Sequence, residues 1–276
     1  MNYRHAYHAG NHTEMLKHGA LVLALAHLRL KDKPFFLLDT HAGIGLTDLA
    51  SEEALKTREA DGGIRLVQRA APAALAAYLE IVAAVAEEHG ADVFPGSPEI
   101  ARRLLRADDR LVACELHPAD VEVLRANLGR DPRVAVHYRD GFEALGAFVP
   151  PPERRGLVLI DPPYEKRDDP ERLGRALAKA LRKWPTGTYL AWYPLKAPDA
   201  SAAILAPLAG EDAPPILRVE LRIRPFDCGL VGGGLVVINP PWTMPDALDA
   251  MGEALLDAFD ARSGGAYARE WIVPPS

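Results

Sequence analysis

Residues 157–160, Leu-Val-Leu-Ile, are apolar at every position, the pattern of a strand buried on both faces of a parallel sheet. Comparable runs recur along the chain. Residues 35–39, 110–115 and 133–138 read as three strands before it, and 187–192 as a fifth strand after it. Between them lie segments of helical period: 12–30, 97–106, 117–127, 142–148 and 169–183. Residues 197–214 are Ala- and Pro-rich, a helix with loose ends. Residues 217–223 and 233–239 then form two strands joined by a hairpin-like connection, before a last helix at 245–262. Alternation through five strands followed by a strand pair predicts a seven-stranded, mostly parallel sheet with one antiparallel strand and helices on both faces. Residues 271–273, Trp-Ile-Val, are placed to add an edge contact.

Helix boundaries carry their own marks. Asn11 is set to cap the first helix, with Glu14 three residues on as the reciprocal acceptor. The stretch Leu-Val-Leu-Ala-Leu-Ala within it is apolar nearly all round, so most of that helix should be buried. Ser97-Pro98-Glu99 has the cap and first-turn proline of a helix start. Residues 51–95 do not fit a simple strand–helix unit. Ser51 caps a short helix to 58, Asp61-Gly62-Gly63 interrupts, a helix runs to about 70, and a third spans 72–88 before Gly90. The expectation is one domain over 1–276 carrying a small inserted helical subdomain at about 51–95.

Composition narrows the classes. With 276 residues, 49% hydrophobic and 25% charged, the chain supports a sizeable core. It has no apolar run of eighteen residues for a membrane span and no apolar leader at its N-terminus. Cys114 and Cys228 make no disulfide framework, which suits a reducing, cytoplasmic setting. A net charge of −6 argues against broad, charge-driven nucleic-acid binding, while a local basic face is left open by Lys166, Arg167, Arg182, Lys183 and Lys196.

Chemistry concentrates after residue 160. Asp161-Pro162-Pro163-Tyr164 sits at the carboxyl end of the apolar strand, where open α/β sheets place their ligands. Two prolines force the chain out of the sheet in a fixed conformation. One carboxylate, free carbonyls and one aromatic ring are thereby held together. Such an acceptor pair, the Asp161 carboxylate and the Pro162 carbonyl, can bind both hydrogens of an adenine amine and aim its lone pair, with Tyr164 on the base face. The segment resembles the D/N-P-P-Y/F signature of amino-methyltransferases that use S-adenosylmethionine (SAM).

Other strand ends offer matching groups. His41 lies in Thr40-His41-Ala42-Gly43-Ile44-Gly45, a glycine-rich turn after the first strand, which can let a ligand approach the backbone. Glu115 at the tip of the second strand either binds ribose hydroxyls or simply ends the strand. Asp140-Gly141 after the third is a turn or an acceptor for an adenosine amine. Lys17, in a buried helix without an acid at i+4, faces either a ligand carboxylate or solvent. Trp192 and Lys196 suit a base and a phosphate, or core packing. A metal set among His5, His8, His12 and His18 lacks a completing ligand at conventional spacing.

Taken in order, YRHAYHAGNH, LKH, LDTHAG, PGSP, ELHP, DGF, LIDPPYE, WYP and VINPPW run along almost the whole chain, and together they resemble the RlmJ family of 23S ribosomal RNA adenine-N6 methyltransferases. The resemblance implies a Rossmann-like class I SAM-dependent fold and a monomer that methylates one adenine N6 in naked or partly assembled large-subunit RNA. It places SAM contacts on Lys17, His41, Ser97, Glu115, Asp140, Gly141 and Asp161. It makes Asp161 the catalytic acceptor and has Tyr3 and His5 close over the target base. A DNA adenine-N6 methyltransferase shares the same Asp-Pro-Pro-Tyr and is the alternative.

Overall fold

The computed structural model describes residues 7–208, 210, 213–226 and 229–275. Its strands are β1 (Phe36–Asp39), β2 (Leu46–Asp48), β3 (Val93–Pro95), β4 (Arg110–Glu115), β5 (Val134–Tyr138), β6 (Gly156–Ile160), β7 (Thr188–Leu195), β8 (Ile216–Arg222), β9 (Gly232–Ile238) and β10 (Ala266–Val273). The helices are α1 (His12–Arg29), α2 (Glu52–Thr57), α3 (Ile64–Ala70), α4 (Ala76–His89), α5 (Ser97–Leu104), α6 (Pro118–Leu128), α7 (Gly141–Phe148), α8 (Asp169–Lys183), α9 (Ala202–Leu205) and α10 (Met244–Ala258).

Eight strands form the main sheet in the order β10-β8-β9-β7-β6-β1-β4-β5. From β5 to β7 the neighbours are parallel, and β9 runs against both β7 and β8. That reproduces the seven strands, one reversed, of the Rossmann-like methyltransferase arrangement. The sheet then gains an eighth strand: β10 pairs antiparallel with β8 on the edge. The sequence pointed only to a contact at 271–273, because β10 interleaves charges with apolar residues. Those charges are used, Arg218 pairing with Glu270 across the strands and Arg269 reaching Asp249 of α10 at 2.8 Å.

The central strands are buried at every position, and alternate residues feed opposite layers. On β1, Leu37 joins Leu16, Leu21, Leu25, Leu157, Leu248 and Met251 on the side of α1 and α10. Phe36 and Leu38 join Val158, Ile160, Leu173 and Leu177 on the side of α8. Chain direction along the sheet reverses between β1 and β6, so the loops after these two strands diverge and leave a crevice at the carboxyl edge.

Asn11 caps α1 as expected: its Oδ1 accepts from Thr13 N at 3.0 Å and Glu14 N at 3.1 Å. Glu14 reaches back one residue further than the usual box, accepting from Gly10 N at 2.6 Å. The 51–95 segment is helical and bracketed by the antiparallel β2–β3 pair. Its Ile64, Val67, Tyr78, Ile81 and Val82 belong to the same buried cluster as α1 and β1, so it extends the main core and has no core of its own. Among the described residues of 197–214, helicity is confined to α9 and a 3-10 turn, Ala206–Leu208.

Candidate active site

Asp161 leaves β6 at the crevice, and Pro162 and Pro163 turn the chain away from the sheet. Tyr164 adopts φ 50°, a left-handed backbone that costs an aromatic residue on the order of 1–3 kcal/mol. Its surroundings hold it there: the hydroxyl donates to Trp192 O at 2.6 Å, and its ring meets Trp192 edge-on at 5.8 Å.

Lys17, in the second turn of α1, is buried, and its ammonium lies between two carboxylates. It pairs with Asp161 and, at 3.3 Å, with Glu14. The sequence left Lys17 to a ligand or to solvent, and the structure gives it these partners instead. Burial alone would lower its pKa, but the two carboxylates outweigh that and raise it above the ordinary lysine range. A buried ammonium thus stays charged and holds Asp161 in place. The same Nζ lies 6.0 Å from the centre of the Trp192 ring.

A third carboxylate backs this pair. Asp39, at the tip of β1, is fully buried and accepts from Ser97 Oγ at 2.6 Å. Burial pushes its pKa up to about 6; the Ser97 hydroxyl and Lys17 oppose the rise and Asp161 adds to it. Sequence reasoning named neither Asp39 nor, except as a cap partner, Glu14. The available hint for Asp39 was the one used for Glu115, an acid ending a central strand. Ser97 does not cap α5, which starts after Gly96; its hydroxyl is spent on Asp39.

Across the crevice, Glu115 ties the tip of β4 to the glycine-rich turn after β1. Its carboxylate accepts from Gly43 N at 2.9 Å, Leu116 N at 2.8 Å and His117 N at 2.7 Å. Asp140 caps α7 through Phe142 N at 2.8 Å and takes Arg172 Nη2 at 3.0 Å on its other oxygen. The Arg172 guanidinium lies 4.2 Å over the Phe142 ring, whose other neighbour is His41, edge-on at 5.5 Å. Gly141 makes this closeness possible, because a Cβ there would stand 2.3 Å from Thr40 O and 2.5 Å from His41 Cε1. Backbone on one side and a packed ring on the other cannot yield cheaply. Gly141→Ala is therefore expected to weaken ligand binding in this half of the crevice at least tenfold while the fold persists, as read by calorimetric titration.

Two cavities result, one on each side of the Asp-Pro-Pro-Tyr segment. The larger, about 430 Å³, is lined by Lys17, Asp161, Pro162, Tyr164, Trp192 and Lys196 among others. The smaller, about 250 Å³, is lined by His41, Asp140, Gly141, Phe142, Lys166 and Arg172 among others. Pro163 lines both. Of the residues singled out in the sequence, Ser97 and Glu115 line neither cavity; they act on the residues around it, Ser97 on Asp39 and Glu115 on the Gly43 turn. Tyr3 and His5 lie outside the described residues. Among the described residues no group of three His, Cys, Asp or Glu side chains is placed to hold a metal ion.

Two partly exposed histidines, His41 and His12, set an acid limit on the fold. Burial pushes His41 and His12 down to about 4 from the ordinary 6.5, and His12 Nε2 has no hydrogen-bond partner. Between pH 6.5 and 4 the unfolded chain therefore binds protons that the folded chain refuses, and stability falls as pH falls, by roughly 3 kcal/mol per histidine when complete. Asp39 works in the opposite direction, gaining stability as pH drops from about 6 towards the ordinary carboxylate value. Two histidines outweigh one carboxylate. The melting temperature should decline below pH 6.5, and His12→Gln should flatten that decline.

The chain matches the family described as ribosomal RNA large subunit methyltransferase D, RlmJ, over residues 32–273. It is 40% identical to the ribosomal RNA large subunit methyltransferase J of Haemophilus influenzae and 39% identical to that of Escherichia coli K12, over 99% of each chain. A crystal structure of a Legionella pneumophila protein superimposes with a TM-score of 0.89 at 34% identity, covering 98% of this chain and all of that one. With the carboxyl-edge crevice, its Asp-Pro-Pro-Tyr partition and this full-length likeness together, the chain belongs to the RlmJ family of ribosomal RNA large subunit methyltransferases.

Proposed function

We propose that this protein transfers the methyl group of SAM to the N6 amine of one adenine in 23S ribosomal RNA. The observation that carries the reading is the pair of cavities separated by residues 161–164, with Pro163 lining both and Asp161 fixed by Lys17. A transfer between two bound molecules needs such a partition, with the acceptor's recognition groups at the junction. The names of the two curated relatives support ribosomal RNA as the substrate.

The smaller cavity suits the donor. Phe142 and Arg172 give it a flat wall, Asp140 an acceptor, and Gly141 the absence of a side chain where one would collide. His41, Asp140 and Gly141 would hold the adenosine half, while Glu115 through the Gly43 turn and Ser97 through Asp39 position the residues around it, and Lys17, paired with Asp161 and Glu14, stands on the acceptor side of the partition. When bound, SAM supplies an electrophilic methyl group on a sulfonium.

The chain's own residues do the rest. The target adenine must leave its helix, since its amine is out of reach when paired. Trp192 and Tyr164 are rigid aromatic walls for the base, and Tyr3 and His5 would close over it. Asp161 and the Pro162 carbonyl accept the two amine hydrogens, draw the nitrogen towards pyramidal geometry and expose its lone pair. Lys17 keeps Asp161 oriented. A carboxylate is far too weak a base to deprotonate a neutral adenine amine, so Asp161 takes the proton after the nitrogen has gained its methyl.

The alternative substrate is duplex DNA. Enzymes reading DNA sequence need a module free to enter a groove, whereas here the 51–95 segment is packed into the main core. Labelled SAM offered with 23S transcripts and with duplex DNA separates the two. Label in the RNA is expected; label confined to DNA would overturn the assignment.

A further inference from the structure

We propose that the opposite, amino-terminal edge of the sheet carries a second RNA contact, a cationic cleft beside the exposed indole of Trp242, which grips a strand outside the target nucleotide. This rests on the reading of the protein as an enzyme acting on RNA and extends it to how the substrate is held.

The cleft, about 360 Å³, includes His27, Lys31, Arg154, Arg155, Asn239 and Trp242 in its lining, and no carboxylate among its lining residues. Arg155 is fixed by donating to the carbonyls of Leu28 and, at 2.6 Å, Lys33. Carbonyls orient a guanidinium without neutralising it. Lys31 and Arg154 are exposed and have no ion-pair partner among the described residues. Glu153, beside Arg154 in sequence, turns instead to Arg110 at 3.0 Å. His27 lies half-buried among these charges with its Nδ1 unpartnered. Burial, and after it the nearby Arg155 and Lys31, hold its pKa below the ordinary value.

Trp242 is 82% exposed, whereas Trp184 is 3% exposed. Pro240 and Pro241 immediately before it and α10 immediately after it fix its backbone, so the indole is presented on a stiff base. Cations lining a groove next to an unburied aromatic face are the elements that hold single-stranded nucleic acid: phosphates meet the charges and a base stacks on the ring. In a chain of net charge −6 this local concentration of positive charge is the more telling.

The cleft cannot belong to the catalytic crevice. Thr188, at the start of β7, lines it, while Trp192 and Pro194 near the other end line the larger active-site cavity. At ~3.3 Å per residue these lining residues stand about 13–20 Å apart along the strand. A strand engaged here is therefore a neighbouring part of the same RNA, and the contact adds affinity without touching the reacting base.

The test compares two RNAs, the full 23S transcript and a short fragment carrying only the methylated adenosine and its nearest neighbours. Arg154→Glu with Trp242→Ala should lower kcat/KM on the transcript by roughly tenfold or more, with the fragment unaffected. Lys31→Gln with Arg154→Gln should also reduce the salt dependence of transcript binding by about one unit of slope per cation removed. Equal loss on both RNAs, the mark of a damaged fold, would overturn the proposal. So would no loss on either, the result expected if the cleft serves an acidic protein. If the unaltered protein methylates neither RNA, the assignment of function fails instead, and the two failures remain distinct.

Discussion

Asp161→Ala should reduce methyl transfer by about three orders of magnitude while leaving SAM affinity within a few-fold of the unaltered protein. The first half follows from the role of the carboxylate as acceptor for the amine and then for its proton; groups of this kind contribute roughly 10²–10⁴ in rate. The second follows from placement. Asp161 lines the larger cavity, whereas His41, Asp140 and Gly141 line the smaller one. The fold should tolerate the change, because Lys17 keeps Glu14 at 3.3 Å as a partner. Asp161→Asn is the finer probe: it preserves shape but replaces one acceptor with a donor, and it should lose roughly a hundredfold. Single-turnover rates with 23S transcript and calorimetric SAM titration read the two halves separately. Turnover near normal in either variant would remove Asp161 from the mechanism.

Lys17→Met should damage both stability and activity. The substitution fits the space of a long, buried side chain but removes the cation that Glu14, Asp161 and Asp39 share. Breaking a buried ion pair on one side leaves the other side uncompensated, at a cost of about 3–5 kcal/mol. For a chain of this length that is a fall in melting temperature of roughly 10 °C. The sign with pH gives a second readout. Lys17 has its pKa raised in the folded state, so its stabilisation is present throughout the range below the ordinary lysine value and is lost only at strongly alkaline pH. In the variant Asp161 and Asp39 lose the nearby cation and prefer to be protonated, so the deficit should shrink as pH is lowered towards 5. A deficit that is constant with pH would mean that the loss is one of packing and not of charge.

The part of this architecture that could be read from the chain was the part governed by local pattern. β6 is apolar at each of its positions because helices cover both its faces, and such a strand announces itself. β10 did not, because an edge strand with one face towards solvent mixes Arg269 and Glu270 with Trp271. The 51–95 helices were visible as helices, but nothing in their spacing says that Ile64 and Tyr78 pack on α1. The Asp-Pro-Pro-Tyr segment was legible as chemistry because two prolines after a buried strand have few other uses. The partners of Lys17 were not: Glu14 looked fully explained as a cap acceptor, and Asp161 lies 144 residues away. Asp39 was passed over as the last residue of a strand, since its burial and its bond to Ser97 are properties of the assembled crevice. Distant electrostatic pairings of this kind are written in three dimensions, and only the fold discloses them.

The central claim is that an adenine amine is gripped beside a methyl donor at Asp161. Its most direct test is the chemical identity of the product: 23S transcript methylated by the protein with labelled SAM, digested to nucleosides and resolved by mass. The account predicts that the label is recovered as N6-methyladenosine from one position, and that none is recovered with Asp161→Ala. Label on a ribose oxygen, on a ring carbon or on a pyrimidine would contradict it.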